Sequence, residues 1–210
     1  MANNLAGGYG LRPIGLTGSA TNSTGATQYE IAAANTNAIY QGGIVIPLST
    51  GFIDKTDQAV APLGVFYGCE FVDSGTKKTT FKNFWPGANS VSVDTNFPVK
   101  AFVYDNPMQL FTVVADGTNT NRATAVADVF ANCSMASVNN GSTNTGQSTD
   151  MLDISTAATT NTLDVRIVGL YEDDANVDYS ALGHQYIVRL LAHFNSGAAA
   201  AVGTPAHTGI

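Results

Sequence analysis

Residues 97–116 read FPVKAFVYDNPMQLFTVVAD, two runs of β-forming residues around a polar break. Val99 to Tyr104 is the first run, Gln109 to Ala115 the second, and Asp105-Asn106-Pro107-Met108 lies between them. Asp and Asn side chains bond their own backbone, and Pro107 presets φ to about −65°, so these residues have the chemistry of a tight turn. Proline donates no ladder hydrogen bond, which places the break at or beside it. In the first run Val99, Ala101 and Val103 point one way and Lys100, Phe102 and Tyr104 the other. In the second, Leu110, Thr112 and Val114 oppose Phe111, Val113 and Ala115. The stretch predicts a β-hairpin at the centre of the fold. Both its faces are largely apolar, so each needs a cover, from a second sheet or from a neighbouring subunit.

The flanking sequence continues the pattern. Gln41-Gly42-Gly43 is a turn before a strand at Ile44 to Leu48. Leu63 to Val72 is a long strand whose internal glycines, Gly64 and Gly68, mark a bulge or bend. Ser74 to Lys78 is a turn, followed by the aromatics Phe81, Phe84 and Trp85. Residues 123–138 suit one or two strands, with a short helix over 123–131 as the alternative. Residues 139–149 form a low-complexity loop. Met151 to Ser155 then reads as a short strand or a turn, Asn161 to Leu170 as a strand, and Tyr186 to Phe194 as compatible with strand or helix, with strand favoured by its leading β-branched residues. The fold class is all-β, a single β-barrel or β-sandwich-like body over residues 29–195. An extended N-terminal arm occupies 1–28 and a small-residue C-terminal tail 196–210. Tyr9, Leu11 and Ile14 have something to pack against only if the arm lies on the body or on a neighbour. Deleting residues 1–16 is expected to weaken partner binding more than it lowers the melting point.

Composition bounds the function. Only 12% of the 210 residues are charged, about half the usual share. The formal net charge is −7, which disfavours nucleic acid as a partner. Lys and Glu are depleted at protein interfaces, so a charge-poor chain suits burial in an assembly. No apolar run approaches the roughly 18 residues of a membrane span. The N-terminal MANNLAGGYGLRP lacks the features of a secretory signal, so cytoplasmic synthesis is expected. Cys69 and Cys133 read as two buried free thiols.

The motifs that carry chemistry are missing. Asp174, Asn176 and Asp178 match positions one, three and five of a calcium loop. Tyr179 and Gln185 stand where the turn Gly and the bidentate Glu should be, which rules out an EF-hand. His184, His193 and His207 have no metal spacing. Gly8-Tyr9-Gly10 begins a dinucleotide motif that ends in Pro13 with no strand before it. No Walker loop, nucleophile elbow or spaced acid pair occurs, so catalytic, cofactor and metal residues are none. Trp85 with its neighbouring aromatics is a core or interface anchor, or a sugar-stacking platform if exposed. An enzyme would require a cleft gathering several of Asp73, Asp94, Asp105 and Asp116 beside a His. The candidate interface residues are Tyr9, Leu11, Arg12, Ile14, Trp85, Pro107 and Met108.

Several phrases, in order along the chain, resemble one family. They are GYGLRPIGLTGS, PLGVFYGCEFVD, FKNFWPG, VKAFVYDNPMQLFTVVADG, NTLDVRIVGLYED and YIVRLLAHFN. The family is the head decoration or capsid cement proteins of tailed, marine podovirus-like phages. The resemblance implies a non-enzymatic virion protein on the capsid exterior, made in the bacterial host cytoplasm. It implies binding to the assembled major capsid protein and a dimeric or trimeric homo-oligomer with a β-barrel or sandwich-like body. A glycan- or host-binding module and a head-tail or tail component are the alternatives.

Overall fold

A computed structural model describes residues 7–18, 25–58, 60–172 and 178–196. Its twelve strands are β1 (Arg12–Leu16), β2 (Thr27–Ile31), β3 (Ile44–Pro47), β4 (Ile53–Lys55), β5 (Gly64–Val72), β6 (Thr79–Lys82), β7 (Val99–Tyr104), β8 (Gln109–Val114), β9 (Asn132–Ala136), β10 (Met151–Ala158), β11 (Val165–Leu170) and β12 (Gln185–Leu190). One short helix, α1 (Arg122–Ala127), lies between β8 and β9. Asn121 caps it through its side chain, and Thr124 returns a bond to the cap backbone.

The strands form two antiparallel sheets in a sandwich-like, all-β arrangement. The first runs β1-β8-β12-β11-β9-β10, the second β2-β7-β5-β3-β4, with β6 added beside β5. Each has its own core. Phe111, Val113, Cys133, Leu152, Ile167 and Tyr186 fill the first. Phe66, Cys69, Phe71, Trp85, Val99 and Val103 fill the second. Ile44 and Val65 belong to the second sheet but pack in the first core, which ties the two together. Cys69 and Cys133 are free and buried in different cores, where burial pushes both thiols up to about 12.

The central expectation needs correction. Strands β7 and β8 form where the alternation placed them, but they do not pair as a hairpin. β7 lies between β2 and β5, and β8 between β1 and β12, in different sheets. The turn between them is anchored once in each sheet. The Asp105 carboxylate accepts bonds from Thr27 Oγ1 and Tyr29 Oη of β2, both at 2.7 Å. The Met108 carbonyl accepts from the Thr17 amide, next to β1, at 3.0 Å. Local turn chemistry is satisfied all the same, with Asn106 Oδ1 accepting from the Met108 amide at 2.8 Å. A turn that caps itself does not decide which strands pair. Here the long-range partners decide it: splitting the run across two sheets buries most of both faces of β8, but only the Val99, Ala101 and Val103 face of β7.

Part of the expected N-terminal arm lies on the body. Arg12–Leu16 is an edge strand paired with β8, and Leu11 is 1% exposed in the first core. Residues 27 and 28 open β2. The remaining described arm residues are 7–11, 17, 18, 25 and 26; the C-terminal tail beyond Ser196 lies outside the described residues.

Candidate docking surface

The outer face of the second sheet is built by alternation along β7. Val99, Ala101 and Val103 turn inward, leaving Lys100, Phe102 and Tyr104 facing out. On β5 the register shifts between Phe66 and Gly68. This bulge places Tyr67, with no partner on β7, on the outer side, where it is 41% exposed. Phe81 of β6 completes the surface at 54% exposed.

These rings form one strip. Tyr67 meets Tyr104 edge-on with centroids 5.6 Å apart. Tyr67 and Phe81 lie 6.4 Å apart, and Phe81 and Phe102 6.1 Å. The interplanar angles of 63°, 47° and 46° give a corrugated ridge with no flat platform. Lys100 and Glu70, paired at 3.4 Å, stand at its end. Phe102 and Tyr104 are half-buried, Tyr104 by packing against the first core, so Tyr67 and Phe81 are the exposed rings of the strip.

At its Tyr67–Tyr104 end the strip opens into a groove of about 290 Å³. Its walls include Tyr9, Arg12, Gln41 and Gln147, and Leu11 and Phe66 close its base. The Arg12 guanidinium lies 3.8 Å over the Tyr9 ring, while the Tyr9 hydroxyl donates to the Gln185 carboxamide. Arg12 makes no ion pair among the described residues.

The expected interface residues divide. Tyr9 and Leu11 are buried, so they hold the groove from within. Trp85 is 0% exposed. Its Nε1 donates to the Asn35 carbonyl at 3.0 Å, and its ring meets Phe71 edge-on at 5.9 Å. Trp85 is therefore a core anchor, and the sugar platform imagined on it does not exist. Arg12, Ile14 and Met108 are exposed and Pro107 is half-buried. Pro107, Met108, Arg189 and Asn195 border a second recess of about 330 Å³. Of the strip residues, Phe81 is marked in the sequence as a neighbour of Trp85, whereas Tyr67, Phe102 and Tyr104 are not among the expected site residues. Phe102 and Tyr104 were legible as the second apolar face of β7, but Phe81 joins them only through β6 pairing with β5.

The carboxylates that an enzyme would need are dispersed. Asp73 caps its own turn, accepting from the Thr76 amide at 2.7 Å, and Asp94 pairs with Lys77 at 3.0 Å. Asp116 accepts from the Ile154 amide at 3.3 Å. Asp105 lies near enough to His193 to favour its charged form, but burial dominates and pushes that imidazole down to about 4. His184, Tyr186, Asn119 and Asp128 form a polar cluster, with Tyr186 Oη donating to Asp128 at 3.0 Å. His184 is fully buried and lines neither of these two recesses.

Among the described residues no group of three or more His, Cys, Asp and Glu could hold a metal. The loop with Asp174 and Asn176 lies outside them. No helix among them is long and apolar enough to cross a membrane. Comparison with protein-family models, curated proteins and solved structures finds no match to the chain.

Proposed function

We propose that this chain is a structural virion protein, a capsid decoration or cement protein. It binds the outside of the assembled major capsid protein shell and stabilises it against internal DNA pressure. The observation that carries the reading is the aromatic strip of exposed Tyr67 and Phe81 with half-buried Phe102 and Tyr104, on a charge-poor chain. Aromatic residues are enriched at protein interfaces and Lys and Glu depleted there, because large rings bury area at little entropic cost. The acidic remainder keeps neighbouring particles apart. A dimer or trimer of the chain would present several such strips to one capsomer junction.

A glycan-binding module would use the same surface, with Arg12, Gln41 and Gln147 as hydrogen-bonding partners beside Tyr67 and Tyr104. The tilted rings disfavour it, since a sugar stacks on a flat aromatic face. Binding of purified protein to assembled, protein-depleted capsids and to host-surface glycans separates the two. The capsid reading expects saturable capsid binding that Tyr67→Ala with Phe81→Ala weakens; retention on glycan alone would overturn it.

A further inference from the structure

Beneath the groove, three segments meet. The Gly10 amide donates to the Asp150 carbonyl at 3.2 Å and the Leu11 amide to Gly42 at 2.8 Å. The Gln41 amide donates to Gly146 at 3.0 Å and the Ser148 amide to Gln41 at 2.9 Å. The approach is close because Gly10 and Gly42 take φ of 73° and 87°, where side chains are disfavoured. A Cβ on Gly10 would stand 2.5 Å from the Gly42 carbonyl oxygen. This junction carries three of the groove-lining residues, Gln41, Gly42 and Gln147, and adjoins Tyr9 and Arg12.

At its centre sits Asp150, 0% exposed, with neither carboxylate oxygen hydrogen-bonded among the described residues. The groups that face it are neutral. They are Gly43 from the segment before β3, with its Cβ position 3.9 Å from Oδ2, and Asn139, Asn140 and Ser148 from the loop before β10. Lys55 of β4 borders an adjoining cavity of about 10 Å³ but makes no ion pair with Asp150 among the described residues. That cavity is at the lower limit for one water, so hydration of a charge there is poor.

We infer that Asp150 is a proton-operated latch: neutral, it lets the three-segment junction close, and ionised, it loosens the junction and the groove wall built on it. An unpaired buried carboxylate is disfavoured in its charged form. Burial accordingly pushes Asp150 up to about 7. The Ser148 hydroxyl and the Asn139 and Asn140 amides pull the other way without completing a bond to either oxygen. The folded-state value lies above the unfolded one, so the latch favours the closed junction at low pH and loses hold as pH rises through about 7. This device is independent of the capsid reading.

Two measurements on the isolated full chain test it. The first follows the Asp150 side-chain carboxyl by ¹³C NMR against pH and expects a midpoint well above an ordinary carboxylate. The second measures hydrogen-exchange protection of the Gly10, Gln41 and Ser148 amides at about pH 5.5 and about pH 8.5. Protection should fall about tenfold relative to amides of β8 and β12, and Asp150→Asn should abolish that fall. An Asp150 carboxyl titrating below about pH 5 would overturn the proposal, as would an undiminished fall in Asp150→Asn. If Asp150→Asn does not fold, the carboxyl titration in the unaltered chain decides alone.

Discussion

Gly68 lies directly under the ring of Phe81: a Cβ built at 68 would stand 2.7 Å from Phe81 Cζ and 2.9 Å from the Lys82 carbonyl oxygen. The missing side chain thus lets β6 close on β5 and lets Phe81 reach across to Phe102. Phe81 could swing aside, but the Lys82 backbone could not without breaking the pairing. Gly68→Ala should therefore destabilise the chain by about 1–3 kcal/mol, the range for overpacking, measured by urea unfolding. An unchanged midpoint would mean that β6 tolerates displacement.

The strip and the core should separate by mutation. Tyr67→Ala and Phe81→Ala remove largely exposed rings and should change stability by less than about 1 kcal/mol each. Trp85→Ala empties a fully buried site and should cost about 3–5 kcal/mol, read from the same unfolding curves. Equal losses at the three positions would contradict the assignment of Trp85 to the core and the others to the surface.

Leu11 alters what truncation should do. A chain lacking residues 1–16 loses a buried core side chain and an edge strand, so its melting point should fall sharply. Leu11→Ala alone should cost about 2–5 kcal/mol. This reverses the ranking expected for a free arm, and a truncated chain that melts like the full one would restore it.

These outcomes locate what the sequence could say. The bounds of β7 and β8 were readable because the apolar alternation is local and Pro107 interrupts it. Their partners were not, because Thr27–Ile31 and Arg12–Leu16 lie far off in sequence and neither has a distinctive pattern. Gly68 announced a bulge, but not that Tyr67 would be the residue turned outward. Trp85 was ambiguous, since only packing distinguishes an anchor from a platform. Asp150 ends a polar low-complexity loop and looks solvated; its burial arises from the glycine-rich segments at 8–10 and 41–43 closing over it.

His193 supplies a pH test of opposite sign to the latch. Its Nδ1 accepts from the Asn195 amide at 3.0 Å, while Nε2 is buried with no hydrogen-bond partner among the described residues. The folded value lies below the unfolded one, so the unfolded chain binds more protons between about 4 and 6.5. The His193 contribution to stability should therefore rise with pH across that window, against the opposite slope from Asp150, and His193→Gln should remove that contribution. Unfolding midpoints collected through the window check this, and a difference between the two proteins that does not vary with pH would refute it.

Phe130 is 78% exposed on a backbone of φ 75°, held by its amide donating to the Ile167 carbonyl at 2.9 Å. A bulky residue seldom takes this conformation, and the ring gains little from burial here. Phe130→Gly should leave the isolated chain equally stable or up to about 1 kcal/mol more stable by thermal unfolding. A loss beyond that amount would assign the ring a packing role in the isolated chain.

The capsid-cement account is tested most directly by add-back to virions lacking this protein, heated while DNA release is followed. Wild-type protein should raise the release temperature, and a folded Tyr67→Ala/Phe81→Ala double variant of unchanged melting point should fail to do so. Equal protection by the double variant, or none by the wild type, would contradict it.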